Sequence, residues 1–331
     1  MNFYNELVPN TISRFSQPVK TAVMAVVMGG EGAQKADRDG KTKQGEGHRS
    51  IVTQGDQWAE QMLVHAILGN FPNARILSEE SEQSEEHPNL LNHKCPTGLM
   101  EAELAYIIDP VDGTAPYGSY LGTWCVSAGV MKNGMLVGSA VYAPDLNGGM
   151  LLVAEEGKGT VVIDGALDSV REIVPPETST TPKKATVFRG VDSDLYEVMI
   201  RRIPEIAMNV RVTGVANSGI LALAQVASGR ITAVIQTPQK AWDWAGAYRA
   251  VLEAGRIFSF FRLVPDPIVP GTDMLVEVGV NTYDFDAFCY DKVNRLGFVA
   301  GEPAMVRRLM KVLPRTGWAR TNPETTSGAW Q

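Results

Sequence analysis

Cysteine is scarce in this sequence of 331 residues, which contains three, and their odd number and wide spacing argue against a disulfide framework. Histidine is nearly as rare, and the four histidines do not have the spacing of zinc ligands. No Gly-x-x-x-x-Gly-Lys stretch occurs, which argues against a P-loop nucleotide-binding protein. We therefore expect a protein of a reducing compartment, in which Cys125, on a predicted strand, belongs to the core rather than acting as a nucleophile.

Long apolar runs and an excess of basic residues are also missing. No stretch reaches the ~18 consecutive apolar residues of a spanning helix, and residues 1–11 lack the basic region and apolar core of a secretory signal. The formal net charge is −7, which disfavours a nucleic-acid partner. We therefore expect a cytoplasmic protein without a membrane or nucleic-acid partner. Phosphorylated substrates are not excluded, because a bound cation can invert the local field.

The composition that remains is typical of a globular protein, with 44% hydrophobic and 20% charged residues. In the first half, residues 19–28 predict a helix that ends at Gly29-Gly30. The polar residues 29–50 then predict a long loop, either a lid over a site or a disordered surface segment. Residues 124–142 predict two strands joined by an Asn-Gly hairpin turn. A helical start followed by antiparallel strands favours an α+β arrangement.

The second half alternates strands and helices, among them a helix over residues 303–312, and this alternation favours an α/β arrangement. The polar, proline-rich residues 175–184 are the best candidate for a domain boundary. We therefore predict a first domain over residues 1–174, a second over residues 185–313, and a poorly ordered tail over residues 314–331.

An apolar run ends abruptly in two carboxylates at residues 106–114, Tyr-Ile-Ile-Asp-Pro-Val-Asp-Gly-Thr. It predicts a buried strand that delivers Asp109 and Asp112 to its carboxyl end. Crowded carboxylates repel each other unless a cation lies between them, and hard oxygen ligands favour Mg²⁺, Mn²⁺ or Ca²⁺. Gly113 and Thr114 lie at a predicted helix start, where free amides favour an anion. A cation site beside an anion site would suit phosphoryl chemistry, although the same residues are also typical of a simple turn.

Further acidic residues lie at the end of a predicted strand or at the start of a predicted helix. Asp56 occupies an N-cap position, Glu79 and Glu80 follow a short strand, and Asp243 opens a helix. This placement repeats that of the first motif. A cap for Asp56 and a solvated charge run for the glutamates are the alternatives without function.

Together the acidic motifs resemble those of the inositol monophosphatase family, Mg²⁺-dependent and lithium-sensitive phosphatases related to fructose-1,6-bisphosphatase. Their order and approximate spacing agree over residues 50–255, and the combination is far more specific than any single motif. The resemblance implies a layered α-β-α-β-α sandwich of the sugar phosphatase type and, commonly, a homodimer. The motifs are Val52-Thr53-x-x-Asp56, Ser78-Glu79-Glu80-Ser81, Asp109-Pro110-Val111-Asp112-Gly113-Thr114 and Trp242-Asp243-x-Ala245.

The resemblance also implies a site for two or three Mg²⁺ ions, with Mn²⁺ as an alternative and Li⁺ or Ca²⁺ as inhibitors. Glu79, Asp109 and the Val111 carbonyl resemble the ligands of the metal that activates water. Asp109 is then shared, and with Asp112 and Asp243 it resembles the ligand set of the metal that stabilises the leaving oxygen.

The resemblance assigns the attacking water and the phosphate to neighbouring residues. Thr114 resembles the hydroxyl that positions the water, with Asp56 behind it as hydrogen-bond acceptor and Glu80 helping to hold the water. The amides of Gly113, Thr114 and Ala115 resemble the phosphate cradle.

Several positions depart from the family pattern, and they concern the substrate more than the chemistry. After Asp-Gly-Thr the family usually continues with a polar residue and a pair such as Asn-Phe, whereas Ala115 begins a different run here. Gln236 stands where the inositol enzymes have a sugar-binding glutamate, and Asn217-Ser218 matches the substrate-contacting Gly-Ser/Thr pair only in part. We therefore predict Asn217, Ser218 and Gln236 as substrate contacts without a defined substrate.

The main hypothesis is a Mg²⁺-dependent phosphomonoesterase that hydrolyses a small sugar, inositol or polyol phosphate with metal-activated water. Alternatives in the same family are a 3′(2′),5′-bisphosphate nucleotidase and a histidinol-phosphate-type phosphatase. A catalytically silent binding scaffold is disfavoured, because none of the predicted acidic metal ligands is lost. Phosphatases with an aspartate nucleophile use Asp-x-Asp-Gly-Thr, whereas two residues separate Asp109 from Asp112 here. This spacing argues against that class of phosphatase.

Overall fold

Six helices and two large mixed sheets make up most of the part of the chain that the structure describes. This structure is a computed structural model that describes residues 10–42, 51–80, 88–91, 98–146, 148–165, 169–175, 186–190, 212–279, 285 and 295–319. No helix in those ranges is long and apolar enough to cross a membrane. The helices are α1 (Gln17–Lys35), α2 (Gln54–Asn70), α3 (Thr114–Gly118), α4 (Gly219–Ala227), α5 (Trp242–Glu253) and α6 (Pro303–Val312).

The first sheet has eight strands in the order β10-β9-β8-β7-β6-β5-β3-β4. Strand β3 pairs in parallel with β4 and β5, and the other pairs are antiparallel. Asn133 and Gly134 both have positive φ (47° and 77°), so the predicted hairpin turn is confirmed. The strands are β3 (Arg75–Ser78), β4 (Leu90–Leu91), β5 (Ala105–Asp112), β6 (Cys125–Lys132), β7 (Met135–Ala143), β8 (Met150–Glu155), β9 (Gly159–Asp164) and β10 (Ser169–Ile173).

The second sheet has seven strands in the order β12-β11-β13-β16-β14-β15-β17. A separate two-stranded ribbon of β1 (Lys41–Thr42) and β2 (Ile51–Val52) precedes α2. The strands of the second sheet are β11 (Thr186–Gly190), β12 (Val212–Ala216), β13 (Ala233–Gln239), β14 (Ile257–Pro265), β15 (Thr272–Val278), β16 (Leu296–Gly301) and β17 (Trp318–Ala319).

The two sheets and the helices stack in five layers, which confirms the predicted layered α-β-α-β-α sandwich. Helices α1 and α2 cover the outer face of the first sheet, where one cluster of buried side chains lies. Helices α4 and α5 lie between the sheets in a second cluster, which takes side chains from both. Helix α6 covers the outer face of the second sheet over a third cluster. The ends of β3, β5 and β13 are thereby held close to the starts of α4 and α5.

The predicted end of the first helix is wrong. Helix α1 runs through Gly29 and Gly30 to Lys35, so the first residues of the predicted loop 29–50 are helical. A Cβ on Gly30 would lie 2.5 Å from the Tyr142 ring, and one on Gly29 would lie 3.3 Å from Val126. These glycines therefore let the helix approach the sheet closely rather than ending it.

Three other details of the prediction differ from the structure. The N-cap of α2 is Thr53 rather than Asp56, which lies at the third helical position. Strand β14 was not predicted, because its apolar residues follow a helix without a clear alternation. Trp318, at the start of the predicted tail, is buried, and its strand pairs with β15. Poor order is therefore wrong for this part of the tail.

Parts of the prediction lie outside the described residues. These include residues 43–50 of the predicted loop and residues 176–184 of the proposed domain boundary. The division into domains at residues 174 and 185 stays a prediction.

Candidate active site

A bulge near the end of β5 brings Asp109 and Asp112 to one face of the sheet. Side chains alternate along a strand, so residues three apart would normally point to opposite faces. Asp109 pairs with Ser127 of β6 and Asp112 with Cys125, so β5 contains one extra residue over this interval. Pro110 lies within the bulge, where its missing N–H is tolerated. Both carboxylates therefore face the layer that contains α4 and α5.

Three carboxylates meet at this point, Asp109 and Asp112 from β5 and Asp243 from the first turn of α5. One oxygen from each lies within 4.8 Å of the others. Asp109 and Asp112 are buried and Asp243 is partly buried. Glu79, directly after β3, is partly buried and interacts electrostatically with all three aspartates. The structure thus brings together three of the four carboxylates that the sequence predicts as metal ligands, and Glu79 lies near enough to interact electrostatically with each of them.

Burial and mutual repulsion raise the pKa of each aspartate. The pKa of Asp109 lies well above its usual value, because the carboxyl is buried and Glu79, Asp112 and Asp243 add negative charge. Burial raises the pKa of Asp112 to about 6, although hydrogen bonds to its carboxylate oppose the shift. Burial and the charge of Glu79 raise the pKa of Asp243 to about 8. The ionised cluster is therefore unfavourable without a cation.

The donor set fits a hard divalent cation. Asp109 Oδ2 is buried and has no hydrogen-bond partner among the described residues. A buried carboxylate oxygen is costly when nothing compensates it, and a metal ion would do so. Three carboxylates, two from β5 and one from α5, are ligands that Mg²⁺ or Mn²⁺ favours. The acidic triad could therefore hold a metal ion.

Asp112 is oriented by the start of α4, which the sequence analysis missed. Its Oδ2 accepts hydrogen bonds from Ser218 Oγ at 2.5 Å and from the Ile220 amide at 2.6 Å, and Cys125 Sγ lies 3.8 Å away. Ser218 is also the N-cap of α4, since its Oγ accepts from the Leu221 amide at 3.0 Å. The capping position was the only signal in the sequence, and the contact with Asp112 depends on the fold.

Two glycines let α5 approach the sheet closely enough to place Asp243 beside β5. A Cβ on Gly246 would lie 2.4 Å from Ser127 Oγ, and one on Gly129 would lie 2.8 Å from the Ala245 carbonyl oxygen. Asp243 Oδ2 accepts a hydrogen bond from the Lys240 amide at 2.8 Å, which fixes its carboxylate at the start of the helix.

Thr114 and Asp56 are in contact, as the resemblance implies. Thr114 Oγ1 lies 3.3 Å from Asp56 Oδ1 and 3.2 Å from the Val111 carbonyl oxygen, and it can donate a hydrogen bond to either. Asp56 also forms a capping box with Thr53, whose amide donates to Asp56 Oδ2 at 2.8 Å. The capping box and the contact with Thr114 therefore use different carboxylate oxygens of Asp56.

The predicted phosphate cradle lies at the start of α3. Gly113 has φ of 91°, and a Cβ there would lie 3.1 Å from the Ser218 Cβ, so both the backbone and the space require glycine. The first backbone hydrogen bond of α3 is donated by Tyr117 N to the Gly113 carbonyl at 3.0 Å. The amides of Thr114 and Ala115 precede it, and Ala115 is exposed.

The remaining predicted residues lie in different places around the cluster. Glu80 follows Glu79 and is partly buried, whereas Asn217 is exposed. Gln236 is buried, and its Nε2 lies 3.2 Å from the Cβ position of Gly219, so its amide is at the start of α4. Ser218 contacts Asp112, as described above, so its hydroxyl has a structural partner in addition to its predicted role toward substrate.

The fold and the site together define a class: layered α/β proteins with an acidic, metal-compatible cluster where two sheets and two helices meet. The sequence model of the inositol monophosphatase family matches residues 9–269, and the chain belongs to this family. Family membership supports a phosphatase that acts on small phosphate monoesters.

Several named relatives match across about two thirds of the chain. The fructose-1,6-bisphosphatase/inositol-1-monophosphatase of Thermotoga maritima is 28% identical over 216 residues, 65% of this chain and 73% of the relative. The inositol-1-monophosphatase of Bacillus subtilis is 28% identical over 211 residues, 63% of this chain and 72% of the relative. The Nus factor SuhB of Escherichia coli is also 28% identical, over 218 residues, 65% of this chain and 73% of the relative. The relatives therefore carry more than one function.

Solved structures share the fold over most of the chain. The Thermotoga maritima IMPase superimposes with a TM-score of 0.63 and 21% identity, covering 91% of this chain and 96% of that one. The SuhB protein of Bartonella henselae gives a TM-score of 0.64 and 18% identity, covering 90% and 98%. At these identities the likeness shows the fold alone.

Proposed function

We propose that this protein is a Mg²⁺-dependent phosphomonoesterase that hydrolyses a small sugar, inositol or polyol phosphate. The observation that carries the proposal is the convergence of Asp109, Asp112 and Asp243, with oxygens within 4.8 Å of one another, beside a threonine hydroxyl that contacts Asp56. A cation site next to a positioned hydroxyl and a helix start is what hydrolysis of a phosphate ester requires.

The carboxylates would hold the metal ions in two overlapping sets. Glu79, Asp109 and the Val111 carbonyl would form one set, and Asp109, Asp112 and Asp243 the other. Bound Mg²⁺ would supply neutralisation of the phosphate oxygens and a lowered pKa for a water molecule that it coordinates. Two or three ions are implied by the family resemblance, with Mn²⁺ as an alternative and Li⁺ or Ca²⁺ as inhibitors.

The chain's own residues would position the water and the phosphate. The Thr114 hydroxyl donates to Asp56 or to the Val111 carbonyl, and its lone pair can then accept a hydrogen bond from the attacking water. Glu80 would help to hold that water, as the family resemblance implies. The amides of Gly113, Thr114 and Ala115 would bind phosphate oxygens.

The substrate is the less specific part of the proposal. Gln236 presents an amide at the start of α4, which can bind hydroxyl groups of a sugar or polyol, and Asn217 and Ser218 remain predicted substrate contacts. The family alternatives are a 3′(2′),5′-bisphosphate nucleotidase and a histidinol-phosphate-type phosphatase. The same proposal includes a homodimer, as the resemblance implies, and a cytoplasmic location, as expected from the composition.

Phosphate release from a panel of substrates tests the proposal. The panel contains inositol, sugar, polyol, nucleotide and amino-alcohol phosphates, each with Mg²⁺ and with a chelator. We expect turnover of at least one member that requires Mg²⁺, and loss of that turnover in Asp109→Asn. Asp39→Asn is the matched control, because Asp39 is exposed and lies outside the carboxylate cluster.

Two other outcomes would each contradict a particular part of the proposed function. Turnover that persists in chelator or in Asp109→Asn contradicts the metal mechanism. No turnover of any member, with Mg²⁺ or Mn²⁺ bound according to calorimetry, favours a binding scaffold over an enzyme.

A further inference from the structure

Arg38 lies outside the carboxylate cluster, in an aromatic cage beside α3. Its guanidinium carbon is 4.6 Å from the ring centroid of Tyr117, 5.0 Å from that of Tyr120 and 5.6 Å from that of Trp124. Only 11% of the Arg38 side chain is exposed, and its Nη2 lies 3.1 Å from Asp145 Oδ2. Cation–π contacts with three rings and the pair with a carboxylate together fix the position of the guanidinium.

Asp145 anchors this cage to three parts of the fold. Besides Arg38, its carboxylate accepts hydrogen bonds from Trp124 Nε1 at 2.7 Å and from Gln34 Nε2 at 2.8 Å. Burial alone would raise the pKa of Asp145, but the hydrogen bonds from Gln34 and Trp124 and the charge of Arg38 lower it. The carboxylate therefore stays ionised, and the end of α1, the start of β6 and the turn after β7 are tied together.

Tyr117 connects the cage to the contact between Thr114 and Asp56. It lies on α3 three residues after Thr114, and its hydroxyl donates to the Ala33 carbonyl at 2.7 Å. A Cβ on Gly55 would lie 2.1 Å from that hydroxyl, so the ring packs directly on the residue that precedes Asp56. The Tyr117 side chain, which belongs to α3, therefore contacts both α1 and the first turn of α2.

We propose that Arg38 is a positioning residue, which holds Tyr117 between α3 and the first turn of α2 and so keeps the Thr114 hydroxyl on the Asp56 carboxylate. The kinetic part of this inference rests on the proposed function, in which Thr114 orients the attacking water. A guanidinium suits the task, because its broad, delocalised cation can contact several aromatic rings while it pairs with Asp145, whereas an ammonium is a compact point charge on a flexible stem.

The first test is a double-mutant cycle in kcat between Arg38→Met and Thr114→Ala. Loss of the cage should misplace the hydroxyl, so Arg38→Met should lower kcat by roughly tenfold to a hundredfold. KM and the affinity for Mn²⁺, measured by calorimetry, should stay unchanged, because Arg38 does not lie in the carboxylate cluster. In the Thr114→Ala background the same change should lower kcat by less than about twofold, since the hydroxyl it positions is gone.

Control variants separate this role from general destabilisation. Arg38→Lys, which keeps the pair with Asp145, should fall between wild type and Arg38→Met. Arg14→Met removes an arginine whose ion pair with Glu172 is exposed and should leave kcat unchanged. An equal loss from Arg38→Met in the wild-type and Thr114→Ala backgrounds overturns the inference, and so does a loss confined to KM or to metal affinity.

Hydrogen–deuterium exchange of the metal-free protein is the second test and does not depend on any activity. In Arg38→Lys, and in Arg38→Met where it folds, the amides of residues 53–58 and 114–121 should exchange severalfold faster, while those of α5 stay unchanged. Unchanged exchange in the two segments overturns the inference. Absence of phosphatase activity would instead contradict the proposed function, and the exchange result would still decide whether Arg38 positions the two turns.

Discussion

The position of Asp109 favours the binding of a cation but is unfavourable for the metal-free protein. Its Oδ2 is buried without a hydrogen-bond partner among the described residues, and the negative charges of Glu79, Asp112 and Asp243 surround it. A buried charge without compensation is strongly unfavourable. The residue that is best placed to bind a cation is therefore also the one that destabilises the metal-free fold.

This conflict predicts the pH dependence of stability in the absence of metal. The pKa of Asp112 is raised to about 6 and that of Asp243 to about 8, both from the ordinary value of 3.8. Between about pH 4 and about pH 8 the folded state keeps protons that the unfolded state has released. The free energy of unfolding therefore falls as pH rises through this range. Thermal unfolding in chelator should therefore show a lower Tm at about pH 8 than at about pH 6.

Two comparisons test the assignment of this slope to the cluster. Saturating Mg²⁺ should raise the Tm most at the higher pH, because the metal binds the ionised carboxylates. Asp109→Asn should flatten the slope and raise the Tm in chelator, whereas Asp39→Asn, at an exposed position, should keep the slope. A Tm that rises with pH in chelator would contradict the pKa assignment.

At the scale of residues, the sequence indicates the charged groups better than their partners. Asp109, Asp112 and Asp243 are recognisable because each lies where an apolar run ends or a helix begins. The hydrogen bond from Ser218 to Asp112 joins residues 106 apart in the chain, so no local pattern could predict it. The same holds for the cage around Arg38, which sequence reasoning did not single out.

Among the elements, α1 and β5 depart most from simple periodicity, and in both cases packing explains the departure. The glycine pair in α1 is a helix-ending signal by propensity, yet the helix continues through it, and the close Tyr142 ring explains why residue 30 lacks a Cβ. The bulge in β5 adds one residue, and this reverses the alternation that would separate Asp109 from Asp112. Neither departure can be derived from the local sequence.

The packing of α1 predicts opposite effects for two glycine-to-alanine substitutions. A Cβ at position 30 would lie 2.5 Å from the Tyr142 ring, so Gly30→Ala should lower the free energy of unfolding by about 1–3 kcal/mol through overpacking. Gly69, exposed in α2, has nothing within 4 Å of its Cβ position. Gly69→Ala should therefore raise the free energy of unfolding by about 0.5–1 kcal/mol.

Urea unfolding followed by circular dichroism measures both changes. Equal effects of the two substitutions would show that helix propensity rather than contact with the sheet governs α1. If Gly30→Ala also lowers the affinity for Mn²⁺, the shift of α1 extends to the carboxylate cluster.

Over the whole molecule, the two sheets share the middle one of the three clusters of buried side chains. The cluster around α4 and α5 contains buried side chains such as Ile107 of the first sheet and Phe298 of the second, both fully buried. Neither half could bury these side chains alone. The candidate active site also depends on both halves of the chain, since Asp109 and Asp112 come from the first half and Asp243 from the second.

This sharing predicts that the chain unfolds as one cooperative unit, even though a boundary near residues 175–184 was predicted from composition. Ile67, in the outer core of the first sheet, and Ile235, in that of the second, form a matched pair because both are fully buried. Ile67→Val and Ile235→Val should each cost about 0.5–1.5 kcal/mol. In one cooperative unit, each should lower the same urea midpoint without changing the m-value.

Far-UV circular dichroism and tryptophan fluorescence, recorded on the same samples, test this prediction. Fluorescence reports on both halves, through Trp124 in the first and Trp242 and Trp244 in the second, and all three are buried. The two signals should change together in wild type and in both variants. Mg²⁺ at about 100 times its Kd should raise the free energy of the single transition by about 2.7 kcal/mol, because its proposed ligands come from both halves. Two separate transitions, with each substitution moving only one of them, would instead establish two independently folding domains and make the metal site an interface between them.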